Sequence, residues 1–181
     1  MGMKLPKHHP LSILYHPIAL CITAHGLGWA WCWFCWGSSP VAVCWALFTS
    51  TLVTLSRIDF QHMLLPDVLT LPLLWLGLIF SDMGYTLASL SQALWGAVLG
   101  YSALAGMNLI YRKVRGTNGL GMGDAKLLSA MLAWLGWQAA QPLVLLACSS
   151  ALITAWVLRV KSPMPFGPHL ALAGLAMMKF A

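Results

Sequence analysis

Apolar residues run through this chain in long blocks, broken at short intervals by clusters of glycine, proline and charged residues. A helix that crosses hydrocarbon needs about 20 mostly apolar residues. The breaks predict seven such helices, over residues 11–33, 41–55, 68–80, 86–111, 125–137, 142–158 and 164–178. Residues 125–158 are too many for one helix, and "GWQAAQP", from Gly136 to Pro142, is the natural turn within them. The third block is short and is expected to borrow residues from the preceding "MLLP", setting Asp67 at the headgroup level. No stretch is long and polar enough for a separate water-soluble domain, and no internal repeat is visible. The pattern predicts an all-α fold, a polytopic integral membrane helical bundle forming one unit over residues 1–181.

Composition agrees with that pattern. The chain is 60% hydrophobic and 8% charged, against roughly half and a quarter in soluble domains. Its net charge of +6 could suggest a nucleic-acid partner, but the basic residues fall in short clusters between apolar blocks. With the N-terminus cytoplasmic, nine of the ten basic residues lie inside: Lys4, Lys7, Arg57, Arg112, Lys113, Arg115, Lys126, Arg159 and Lys161, leaving Lys179 outside. That is the positive-inside distribution, and one span more or fewer would spoil it. The partner this implies is the lipid bilayer, with no nucleic acid. The first apolar block resembles a signal peptide, yet it is too long and ends in tryptophans instead of a small-residue cleavage site. Trp29, Trp31, Trp33, Trp36, Trp134 and Trp137 fall near outer helix ends and are expected to form an interfacial belt. Cys32 and Cys35 make a lone Cys-x-x-Cys pair, which cannot supply four zinc ligands; packing or a facultative disulfide is the expectation, with no metal.

Chemistry enters with the carboxylates. All four acidic residues are aspartates. Asp82 falls in an outer loop, whereas Asp59, Asp67 and Asp124 fall on the inner side at the ends of three different helices. Asp67 and Asp124 precede apolar runs, where an aspartate can cap a helix and suit its dipole. Asp59 stands at a helix C-terminus, where a negative charge opposes the dipole. The second reading is an aspartyl dyad of Asp59 and Asp124. Two close carboxylates cannot both ionise cheaply, so they share a proton. The ionised member then activates water and the protonated one donates to the oxyanion. Gly121 and Gly123 would let the backbone turn tightly beside Asp124 and admit an extended peptide. Ser149 and Ser150 lie mid-span, so no Ser-His-Asp set falls on one face, and "GLGMG" lacks the lysine and Ser/Thr of a P-loop.

Three stretches resemble a known family in the right order: "IDFQHMLLPDVLTLPLLWLGLIF" (58–80), "GLGMGDAKLLSAMLAWLGW" (119–137) and "PFGPHLALAG" (165–174). They look like the signature regions of the type IV prepilin peptidases, inner-membrane aspartic endopeptidases of the G-x-G-D type. The resemblance implies that Asp59 and Asp124 are the catalytic pair, that Asp67 is a motif residue, and that Phe166, Gly167 and Pro168 line the site. It implies a substrate, the basic leader of a pilin or pseudopilin precursor, cut at the cytoplasmic face of a bacterial inner membrane. It implies no cofactor for this reaction. Lys126 is a candidate to hold an acidic residue of the substrate, or else a snorkelling interface lysine. Fuller members carry a cytoplasmic loop with two Cys-x-x-Cys pairs that bind zinc, associated with N-methylation. That loop is missing here between the first two spans, so methyl transfer is not expected. A small proton-coupled transporter using the same aspartates, and an idle partner of a pilus or secretion assembly, are the competing readings.

Overall fold

The computed structural model describes residues 17–116, 121–159 and 164–178. The predicted start of the first span at residue 11, and Lys4, Lys7, Lys161 and Lys179 of the charge count, lie outside them, as does Gly119. Seven α-helices follow one another: α1 (Pro17–Trp36), α2 (Pro40–His62), α3 (Asp67–Asp82), α4 (Leu90–Arg115), α5 (Met122–Leu135), α6 (Ala140–Leu158) and α7 (Gly167–Met177). No strand occurs among the described residues. By length and composition, α2, α4 and the stretch Trp137–Leu158 are long and apolar enough to cross a membrane. The protein is a helical membrane protein.

Local chemistry sets the helix ends. Ser39 caps α2 and precedes a proline at the first helical position, while Ser89 and Gln92 form a reciprocal capping box at α4. Gly116 closes α4 and Gly136 follows α5, both at positive φ that glycine adopts without penalty. A single 3₁₀ turn, Trp137–Ala139, then carries the chain into α6, where the sequence placed a turn.

Two boundaries differ from expectation. α2 continues seven residues beyond Leu55 to His62, so Asp59 lies in its last turn. The residues of "MLLP" do not join α3: Met63 is left-handed at the end of α2, and Pro66 disfavours helical geometry in Leu65. α3 therefore starts at Asp67, directly after that proline.

The centre of the bundle is α5. Every residue from Asp124 to Leu135 except Lys126 is buried, as expected of a helix that is apolar all round. α4, α3 and α7 surround it. Gly96 and Gly100 of α4 face it one turn apart, and a Cβ on Gly96 would stand 2.6 Å from the Leu132 carbonyl oxygen. Small residues at this spacing let helix backbones approach closely, close enough for the Ser129 hydroxyl to donate to the Ala97 carbonyl at 2.7 Å.

Trp134 corrects the belt reading. It is fully buried, packed on Trp45, Phe48 and Phe80 with ring centroids 5.0 to 5.7 Å away. Its indole N–H donates to the Leu73 carbonyl at 2.8 Å, which satisfies the one polar atom the ring buries. Trp36 is drawn inward as well, stacked on Trp45, while Trp29, Trp31, Trp33 and Trp137 remain exposed.

Candidate active site

Successive helices alternate in direction, so the end of α2, the starts of α3 and α5 and the start of α7 gather at one end of the bundle. Asp59 and Asp124 both lie there and both are buried, at 5% and 9% exposure. Each carboxylate is held by a backbone N–H at a helix start. Asp59 Oδ2 accepts the N–H of Gly167, the first residue of α7, at 2.9 Å. Asp124, in the first turn of α5, accepts the N–H of Gly121, the residue that caps that helix. The dipole that Asp59 opposes in its own helix is thereby offset by that of α7. The two carboxylates are near enough for the charge of Asp59 to act directly on Asp124.

The glycines are close-packed instead of open. A Cβ on Gly167 would fall 2.6 Å from Asp59 Oδ2, one on Gly121 3.1 Å from Asp124 Oδ2, and one on Gly123 2.8 Å from the Cβ of Leu65. Gly123 thus admits the α2–α3 connection, where the sequence suggested room for a substrate backbone. Phe166 caps α7 and packs on the core, and Pro168 stands in the first turn of that helix.

Asp67 and Lys126 meet each other. Lys126 Nζ donates to both carboxylate oxygens of Asp67 at 2.7 Å, tying the start of α3 to the second turn of α5. The sequence does not pair Lys126 with Asp67, because 59 positions separate the two residues. Both side chains are partly exposed, at 31% and 52%, and an exposed pair contributes about 0.2–1 kcal/mol. A double-mutant cycle of Lys126→Met and Asp67→Asn, read by unfolding in detergent, should return a coupling in that range; a value near zero would reduce the pair to incidental proximity.

Two of the described histidines, His25 and His169, join neighbouring helices. His169 of α7 is buried and its Nδ1 lies 3.2 Å from the Ser150 hydroxyl of α6. Ser150, set aside in the sequence as mid-span, therefore has a partner that its own neighbourhood did not reveal. His25 bridges α1 and α2 through Thr54. Cys32 is buried beside Thr49 and Cys35 is exposed, both as free thiols. Among the described residues, no three His, Cys, Asp or Glu side chains gather into a set that could hold a metal.

Residues 46–156 match the model of the type IV leader peptidase family. The chain belongs to that family. The matched region contains Asp59, Asp67, Asp124 and Lys126, and leaves out the start of α7. A protein of Stutzerimonas stutzeri named prepilin leader peptidase/N-methyltransferase is 41% identical over 178 residues, covering 94% of this chain and 58% of its own length. A Pseudomonas aeruginosa protein of the same name is 47% identical over 135 residues, 71% of this chain and 46% of its own length. One from Pectobacterium carotovorum is 39% identical over 179 residues, 93% of this chain and 61% of its own length. The chain thus spans about half to three fifths of the curated relatives it matches. No solved structure matches it.

Proposed function

We propose that this leader peptidase family member is an aspartic endopeptidase of the membrane that removes the leader of type IV prepilins or type II secretion pseudopilins. The observation that carries the proposal is the meeting of two buried carboxylates from α2 and α5, each fixed by the N–H of a helix start, with the charge of Asp59 acting on Asp124. Such a pair shares one proton. The ionised aspartate takes a proton from water as its oxygen attacks the peptide carbonyl, and the protonated one donates to the developing oxyanion. The C–N bond then breaks, the new amine takes a proton from the pair, and the leader leaves with a carboxylate end. Gly167, Gly121, Gly123 and Phe166 set the positions of the two carboxylates, and Asp67 with Lys126 fixes the turn that carries Asp124.

The proposed location is the cytoplasmic face of a bacterial inner membrane, with the chain crossing several times. Arg57, Arg112, Lys113, Arg115, Lys126 and Arg159 sit near the same helix ends as the two aspartates, and basic residues favour the cytoplasmic side. The family match gives no support to the transport reading. The proposal stops short of methyl transfer, which the relatives' name includes.

Purified protein in proteoliposomes, given a prepilin with its leader, should release a product shortened by the leader, as read by intact mass and N-terminal sequencing. An uncut precursor across a panel of prepilins and pseudopilins would overturn the proposal. The same spectra read methylation, which should be absent from the new N-terminus.

A further inference from the structure

A groove of about 650 Å³ runs between α1, α2 and α7. Its floor is one face of α2, which includes Val53 and Phe60; Ala24 and Trp31 belong to the α1 wall, and Pro168 and Leu175 to the α7 wall. The floor extends from Gln61 back to Thr49, about 18 Å at 1.5 Å per residue. Along that length the walls are almost wholly apolar. Polar side chains concentrate at the inner end, where Arg57 and Gln61 stand.

The inner end is also where the groove meets the candidate site. Phe60 and Pro168, which line it, are the immediate chain neighbours of Asp59 and Gly167, the pair joined by the 2.9 Å hydrogen bond. The inner end of the groove is thus one residue along the chain from Asp59 on α2 and from Gly167 on α7. A trough walled by faces of three helices, with small residues such as Ala24 on the wall, suits a fourth helix by close packing. Arg57 at the inner end would also meet a lipid phosphate, so a phospholipid is the competing occupant that the test separates from a helix.

Resting on the peptidase reading above, we propose that this groove holds the apolar helix of the prepilin, the segment just beyond the scissile bond, and so measures the peptide bond into place. About a dozen residues of helix match the floor's length. Binding energy collected along the groove, away from the reacting bond, then holds that bond in register with the pair, an advantage of orientation and not of chemistry. The occupant is recognised by being helical, apolar and continuous with a polar junction at its cytoplasmic end.

The test uses the full chain in membranes, co-expressed with a prepilin that the unaltered protein cuts. A photo-crosslinking amino acid at Leu27 or Leu172, both exposed and both lining the groove, is placed in an Asp124→Asn background that retains the substrate. Each should give a prepilin adduct mapping to its apolar segment, and a probe at Leu152, exposed on α6, should give none. Separately, Ala24→Trp and Leu172→Trp, each checked for expression and folding, should lower kcat/KM about tenfold, with part of the loss in kcat because the bond is no longer held in register. Adducts with lipid alone, together with an unchanged kcat/KM in both variants, would overturn the groove assignment while leaving the peptidase reading standing. If the unaltered protein cuts no prepilin, the peptidase reading fails and this inference falls with it.

Discussion

Replacing Asp59 or Asp124 by asparagine should lower leader cleavage by about a thousandfold or more while leaving the fold in place. The asparagine variants separate the two roles open to these carboxylates. A side-chain amide oxygen still accepts an N–H, and asparagine is as good a helix cap as aspartate. In Asp59→Asn the Gly167 N–H keeps its acceptor, and in Asp124→Asn the Gly121 N–H does likewise. What is lost is the ability to take and give a proton. Unfolding in detergent should therefore shift by no more than about 1 kcal/mol, and each variant should come close to the double variant in activity, because a pair acting as one unit does not lose function additively. Cleavage within tenfold of the unaltered protein in either variant would reduce that aspartate to a structural cap.

Gly167→Ala is expected to be the most damaging change that removes no functional group. The added methyl would stand 2.6 Å from Asp59 Oδ2 and 3.0 Å from its Cγ, so either the carboxylate or the start of α7 must move. A displacement on the order of 1 Å at a catalytic group can cost about a hundredfold in rate. The same strain should cost about 1–3 kcal/mol of stability. Gly106→Ala, at a helical position with open space around the Cβ, is the matched control and should leave both rate and stability near their original values. Single-turnover cleavage compared between the two variants decides the matter: equal rates would mean that α7 yields without disturbing Asp59.

The helices could be read from the sequence because their ends are written locally. Pro40, Pro66, Gly116 and Gly136 each mark a boundary through their own backbone preferences. Asp59 and Asp124 could be picked out because carboxylates are so few in this chain. The contacts that hold them could not, since the family resemblance alone puts Gly167 at the site and the sequence reads Gly121 only as a turn residue. The Gly167 N–H reaches Asp59 across 108 positions, and nothing near either residue announces the contact. Lys126 and Asp67 are another such pair. Trp134 was misplaced for a different reason: a buried helix and a lipid-facing one have the same apolar composition, so nearness to a helix end looked like a place in the headgroup belt. Only the packing of α3 and α4 around α5 separates the two cases.

The shortness of α5 bears on where Asp124 stands. Its 14 residues extend about 21 Å, and α7 with 11 residues is shorter still, whereas the hydrocarbon of an ordinary bilayer is about 30 Å thick. α5 is enclosed by α3, α4 and α7, so its shortness is met by neighbouring helices and not by lipid. Asp124 stands three residues from the cap of α5, close to the end of the bundle. On the proposed function, that position would keep the carboxylate within reach of the water that hydrolysis consumes.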